Sequence, residues 1–166
     1  MSLSRETVYE LFNSFVKKKP NFVFLENENE KYTVGEFLKT ICTTANYLSE
    51  MGVKKGDVVS ILCKRDIETI VYFFSCQIMG AIALMVDMHE DLNKLELESG
   101  LKISYSIGEN RKVIKSSAFP EIKFEALNDS RETTIMISTS GSTGDRKLVI
   151  HSQYAFINNA FDSKNY

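Results

Sequence analysis

From Thr69 to Val86 the chain carries no charged side chain. A run of this length, close to the transmembrane threshold of about 18 residues, must either cross a bilayer or be buried inside the protein. Its character divides at Gly80. Bulky and aromatic residues (Ile70, Val71, Tyr72, Phe73, Phe74) precede the glycine, and small or aliphatic ones (Ala81, Ile82, Ala83, Leu84) follow it. Gln77 lies inside the first half, and an amide in hydrocarbon without a partner is costly. A buried helix over about Ile67–Met79, broken at Gly80 and followed by a buried strand over Ala81–Val86, accounts for all of these features. No membrane span is expected.

The same punctuation can be followed along the rest of the chain. Val8, Leu11, Phe12, Phe15 and Val16 fall at helical spacing, Lys17–Lys19 complement the negative end of that helix, and Pro20 stops it. Phe22–Leu25 and Lys31-Tyr32 read as strands around a polar turn. Thr33-Val34-Gly35-Glu36 has the form of a capping box, opening a helix that buries Phe37, Leu38, Ile41, Ala45, Leu48 and Met51 and closes at Gly52. Asp57–Cys63 is a compact apolar strand, and Asp66 is placed to cap the buried helix. Leu92–Glu98 is a short helix ended by Gly100. Ile103–Ile107, Lys112–Lys115, Ile122–Ala126, Thr133–Ser138 and Lys147–Ile150 read as strands. Strands alternating with helices imply an α/β fold with a largely parallel sheet and helices on both faces.

Composition narrows the function. Hydrophobic types make up 43% and charged types 25% of 166 residues, enough apolar material for one globular unit spanning 1–166. Lys+Arg 20 against Asp+Glu 22 leaves a net charge of −2, with the basic residues scattered, so no nucleic-acid partner is expected. Cys42, Cys63 and Cys76 are widely spaced and odd in number, which gives no disulfide framework or zinc site and points to a reducing, cytoplasmic compartment. The first residues lack the apolar core of a signal peptide. Asp87-Met88-His89-Glu90-Asp91 could attract a metal but reads more simply as a solvated turn, so no metal site is assigned. His151 beside a strand end reads as structural.

Ligands of parallel α/β sheets sit beyond the carboxyl ends of the strands. The loop after Thr133–Ser138 is the most unusual stretch there: Ser138-Thr139-Ser140-Gly141-Ser142-Thr143-Gly144-Asp145-Arg146-Lys147. Glycines let the backbone approach a ligand, successive N–H groups make an anion-binding concavity, hydroxyls add donors, and Lys147 supplies positive charge. Composition alone favours the plainer reading, a flexible Ser/Gly connector. The Walker pattern is not met, because Gly144 is followed by Asp145 rather than lysine.

The order of residues is more specific than their composition. Thr139-Ser140-Gly141-Ser142-Thr143-Gly144-x-x-Lys147-x-Val149 closely resembles the [YF]-T-S-G-[ST]-T-G-x-P-K-G-V signature of the adenylate-forming superfamily, which includes AMP-forming acyl-CoA synthetases, peptide-synthetase adenylation domains and luciferases. His151 is similar to a familiar extension of it. Upstream, Tyr32-Thr33-x-x-Glu36-Phe37, Gly52-Val53-x-x-Gly56-Asp57-x-Val59 and Gly80-Ala81-x-x-x-x-Val86-Asp87 resemble the family's T-Y-x-E-L, G-V-x-x-G-D-x-V and G-A-x-x-x-P-L-D segments, in the family's order. The chain departs from the signature at Ser138, Arg146 and Leu148, which replace an aromatic, a proline and a glycine, and the segment after Asp87 looks abbreviated.

The resemblance implies an N-terminal subdomain of an adenylate-forming enzyme. The remaining N-terminal subdomains, with the adenine-, ribose- and acyl-binding elements, and the C-terminal lid domain have no counterpart here. It implies ATP with Mg as cofactor, a carboxylic acid substrate activated as an acyl-adenylate, and coenzyme A or a carrier thiol as acceptor. It places Thr139, Ser140, Gly141, Ser142, Thr143, Gly144 and Lys147 on the ATP phosphates and assigns no catalytic residue. The isolated chain is expected to be inactive in adenylation and to self-associate through exposed subdomain surface. The rival expectation is a non-catalytic nucleotide-binding or protein-interaction module derived from the same fold.

Overall fold

A computed structural model describes residues 5–111, 118–140 and 146–163. The first four helices begin where side chains satisfy the backbone. Thr7 opens helix α1 (Val8–Lys18) with a reciprocal box, its hydroxyl accepting from Glu10 N while the Glu10 carboxylate accepts from Thr7 N at 2.7 Å. Thr33 and Glu36 repeat the arrangement at helix α2 (Val34–Glu50), with the carboxylate 2.8 Å from Thr33 N. Asp66 caps helix α3 (Ile67–Met79), which closes on Gly80 at φ +73°. Asp91 caps the short helix α4 (Leu92–Ser99).

Two strands, β1 (Val23–Glu26) and β2 (Lys31–Thr33), form a separate antiparallel pair. The main sheet contains β3 (Val58–Leu62), β4 (Ile82–Val86), β5 (Tyr105–Ile107), β6 (Thr133–Ser140) and β7 (Arg146–Ser152), in the order β5-β3-β4-β6-β7. The first four lie parallel, and β7 returns antiparallel to β6. The chain then enters helix α5 (Gln153–Ser163).

Alternation along the strands sorts side chains to two faces. Val59, Ile61 and Ala83 meet the larger cluster built on α1, α2 and α3, where Phe12, Phe37 and Phe74 pack edge to face or tilted. Val58, Leu84, Val86 and Met136 face the other way, onto Leu95 of α4. Each fully buried aliphatic or aromatic side chain stabilises by about 1.5–3 kcal/mol, so both faces must be covered. The uncharged run of the sequence is therefore α3 and β4, one layer over the other. Among the described residues no helix is long and apolar enough to cross a membrane.

Three details differ from the sequence expectations. Residues 122–126 alternate like a strand but form none, because the Asn46 side chain takes over their backbone partners. Its Nδ2 donates to Glu121 O at 2.6 Å and its Oδ1 accepts from Lys123 N at 2.7 Å. Buried Phe124 and Leu127 then anchor the segment. The β6–β7 ladder is longer than expected, since Thr139 and Ser140 remain paired on one side and Arg146, His151 and Ser152 on the other. Helix α5 was not anticipated from the sequence. The strand expected at Lys112–Lys115 lies outside the described residues.

Candidate functional site

The four parallel strands end on one edge of the sheet, and β6 reaches furthest. Its last partner on β4 among the described residues is Met85, opposite Ile137. Ser138, Thr139 and Ser140 continue against Leu148, Lys147 and Arg146 of β7, so the two strands project beyond the sheet as a hairpin. Thr139 and Lys147 are directly opposite, and Thr139 Oγ1 donates to Lys147 O at 3.2 Å. Directly opposite residues place their side chains on the same face of a ladder, so the hydroxyl of Thr139 and the ammonium of Lys147 share one exposed face at the hairpin's mouth. Ser138 turns to the other face, where its buried Oγ has no hydrogen-bond partner among the described residues. Gly141, Ser142, Thr143 and Gly144 lie outside the described residues, and Ser140 is placed by its backbone pairing alone.

A second polar cluster sits at the same edge, beyond β3. The Arg111 guanidinium, almost fully buried, donates to Leu62 O at 2.6 Å and lies 2.9 and 3.0 Å from the two oxygens of Asp66. Its Nη2 is also 2.5 Å from Thr69 Oγ1. Burial pushes the Asp66 carboxyl up, but the bonds from Thr69 and Arg111 outweigh it and hold the group below its ordinary range. This cluster closes the turn between β3 and α3. Sequence reasoning identified Asp66 as a cap and missed Arg111, which follows an unremarkable Gly-Glu-Asn turn.

The acidic stretch after β4 is a turn and a helix start. Asp87 Oδ1 accepts from His89 N at 3.1 Å, and Asp91 accepts from Lys94 N at 3.1 Å. His151 lies on β7 opposite Ile135. Two buried glutamines, Gln77 and Gln153, carry a hydrogen-bonded network beneath the hairpin. Gln77 was visible as a lone amide in an uncharged run, and nothing in the sequence showed what it meets.

A mostly parallel five-stranded sheet, with the β6–β7 ladder extending past its carboxyl edge, defines an α/β type of protein. The chain belongs to the AMP-binding enzyme family, whose sequence profile it matches over residues 12–102, more than half its length. The matched span ends before the hairpin. Gramicidin S synthase 2 of Brevibacillus brevis is 27% identical over 161 residues, covering 87% of this chain and 4% of the synthase. Acetyl-coenzyme A synthetase of Phycomyces blakesleeanus is 30% identical over 138 residues, covering 75% of this chain and 20% of that enzyme. The Klebsiella oxytoca NpsA N-terminal subdomain, solved in complex with 3-hydroxybenzoyl-AMSN, superimposes with a TM-score of 0.72 at 20% identity, over 91% of this chain and 42% of that one. The nonribosomal peptide synthetase FmoA3 superimposes with a TM-score of 0.76 at 16% identity, over 99% of this chain and 19% of that protein. The chain thus has the fold of part of an N-terminal subdomain of adenylate-forming enzymes, and it spans 4% and 20% of the length of these two curated relatives.

Proposed function

We propose that this chain supplies the ATP-phosphate-binding part of an AMP-forming acid–thiol ligase, working in the cytoplasm. The parent reaction joins a carboxylate to ATP, giving an acyl-adenylate and pyrophosphate, and then passes the acyl group to coenzyme A or a carrier thiol. The observation that carries this reading is the pairing of Thr139 with Lys147. It puts a cation and a hydroxyl on one exposed face at the two roots of the Ser/Thr/Gly run.

In this reading Thr139, Ser140, Gly141, Ser142, Thr143, Gly144 and Lys147 hold the β- and γ-phosphates by hydroxyl, backbone N–H and ammonium donors while the carboxylate attacks the α-phosphorus. Fixed donors are the main protein contribution to such chemistry. Magnesium, which the family uses to neutralise phosphate charge, fits this site as an ion carried in on the phosphates, since Mg²⁺ needs few protein ligands.

The chain alone does not make the adenylate in this reading. Holding the phosphates binds ground state and transition state about equally, and rate comes from also orienting the carboxylate and the α-phosphate. Calorimetric titration of pyrophosphate tests the site. Wild type should bind, and Lys147→Ala should bind about tenfold to a hundredfold more weakly, as expected for a charge-assisted contact of about 1.5–3 kcal/mol. Absence of binding by wild type overturns the assignment, and equal affinities remove Lys147 from it. Carboxylate-dependent exchange of labelled pyrophosphate into ATP by the isolated chain would show that it is a complete catalyst.

A further inference from the structure

The base of the projecting hairpin is irregular in one place. Thr133 pairs with Ser152 and Ile135 with His151, so β6 uses one more residue than β7 over that step and Thr134 is the extra one. Such a bulge leaves a residue outside the ladder and re-aims its side chain. Here Thr134, fully buried, meets Gln77 of α3 twice: Gln77 Nε2 donates to Thr134 O at 2.8 Å, and Thr134 Oγ1 donates to Gln77 Oε1 at 2.7 Å. The amide therefore takes the carbonyl of the bulged residue and its hydroxyl together.

The second strand is held through the same helix residue. Gln153, the first residue after β7, donates through Nε2 to Gln77 O, and its Oε1 accepts from Val8 N at 2.9 Å. Both strands of the hairpin are thus rooted on Gln77, one through its side chain and one through its carbonyl. Both glutamines are completely buried, where an unsatisfied amide would be costly.

We infer that Gln77 is a positioning residue for the phosphate hairpin: by filling the Thr134 bulge it sets the register that brings Lys147 opposite Thr139. Side chains alternate along a strand, so a slip of one residue turns every later side chain to the opposite face. If Thr134 entered the ladder, Thr139 would no longer face Lys147, and the cation and hydroxyl would leave their common surface. The bulge lies five residues from Thr139, so Gln77 acts on the site without touching it. The inference deepens the phosphate-binding reading and rests on it for its functional consequence, while the register itself can be observed separately.

The test compares Gln77→Leu with Ser75→Ala in the full chain. Ser75 is an equally buried polar residue on the same helix, bonded to Ile41 O and Val71 O and unconnected to the hairpin. Two readouts are needed: nuclear Overhauser contacts between Ile137 and Val149, which report register, and calorimetric affinity for pyrophosphate. Gln77→Leu should lose the Ile137–Val149 contacts and bind pyrophosphate at least tenfold more weakly. Ser75→Ala should keep both while losing thermal stability. Retention of contacts and wild-type affinity in Gln77→Leu overturns the inference, as does equal loss in Ser75→Ala. If wild type binds no pyrophosphate, the phosphate reading fails and the contacts still decide the register. Should Gln77→Leu not fold, Thr134→Val removes one of the two bonds. It should weaken the contacts and lower affinity several-fold, and an unaltered Thr134→Val overturns the inference.

Discussion

Gly80 joins α3 to β4 and carries two separate constraints that one substitution series can resolve. Its φ is +73°, in the left-handed region, and a Cβ there would lie 2.9 Å from Leu127 Cδ1 and 3.1 Å from Lys55 Cγ. Gly100 has a similar φ of +69° with nothing within 4 Å of the added carbon. Alanine at either site takes on about 1–2 kcal/mol of left-handed strain, partly offset by about 0.4–1 kcal/mol from a less flexible unfolded chain. Gly100→Ala should therefore destabilise by about 1 kcal/mol. Gly80→Ala adds overpacking, typically about 1–3 kcal/mol. Lys55 meets the added carbon with its Cγ while its tip is held by Glu132 at 2.8 Å, and Leu127 is buried with its own N–H fixed to Ile78 O at 2.9 Å. Gly80→Ala should thus fall about 1–3 kcal/mol below Gly100→Ala in urea unfolding followed by circular dichroism, with unchanged slopes. In a Leu127→Ala background the excess should shrink, which a double-mutant cycle would measure. A difference below about 0.5 kcal/mol between the two alanine variants would refute the clash and leave Gly80 needed for its backbone angle alone.

The depressed carboxyl of Asp66 gives a pH dependence. A group whose folded pKa lies below its unfolded one stabilises above the unfolded value and loses that stabilisation as pH falls, here below about 4. Tm measured from pH 7 to 3 should drop more steeply for wild type than for Asp66→Asn, and parallel curves would exclude Asp66 as a source of acid sensitivity. Burial pushes the Cys42 and Cys76 thiols up to about 12, and it also raises exposed Cys63, against the pull of Arg111. Ellman's reagent at pH 8 should therefore titrate one thiol in the native chain, more slowly than a free cysteine, and three in urea. Rapid reaction of more than one native thiol would show that the α2–α3 interior opens.

How much the sequence reveals depends on which physical signal fixes each element. Helix α3 was legible to the residue because Asp66 and Gly80 mark its two ends and no charge follows Glu68 within it. The far end of β6 was not, since Thr139 and Ser140 are small polar residues that read as loop until the β7 partner is seen. Residues 122–126 misled because alternation signals a half-buried extended segment, while strand identity depends on who bonds the backbone, and here that is Asn46. The family was legible from the order of residues in the Ser/Thr/Gly run and the upstream segments, and not from residue types. The Thr134 bulge has no local sequence sign, because it is defined by a count between two strands.

The spacing of the parallel strands also bears on how lengths can vary in this fold. Val58 pairs with Ile82 across α3, whereas Ala83 pairs with Ile135 across α4, β5 and the segment that crosses α2. The second closure spans roughly twice as much chain, yet doubling a loop adds only about 0.6 kcal/mol of closure entropy. Shortening or lengthening the connection between β4 and β6 is therefore nearly neutral in polymer terms, provided that Asn46 and Gly80 still find their partners at 121–127. Changes of length in that connection leave the attachment of the β6–β7 hairpin to the sheet unaltered.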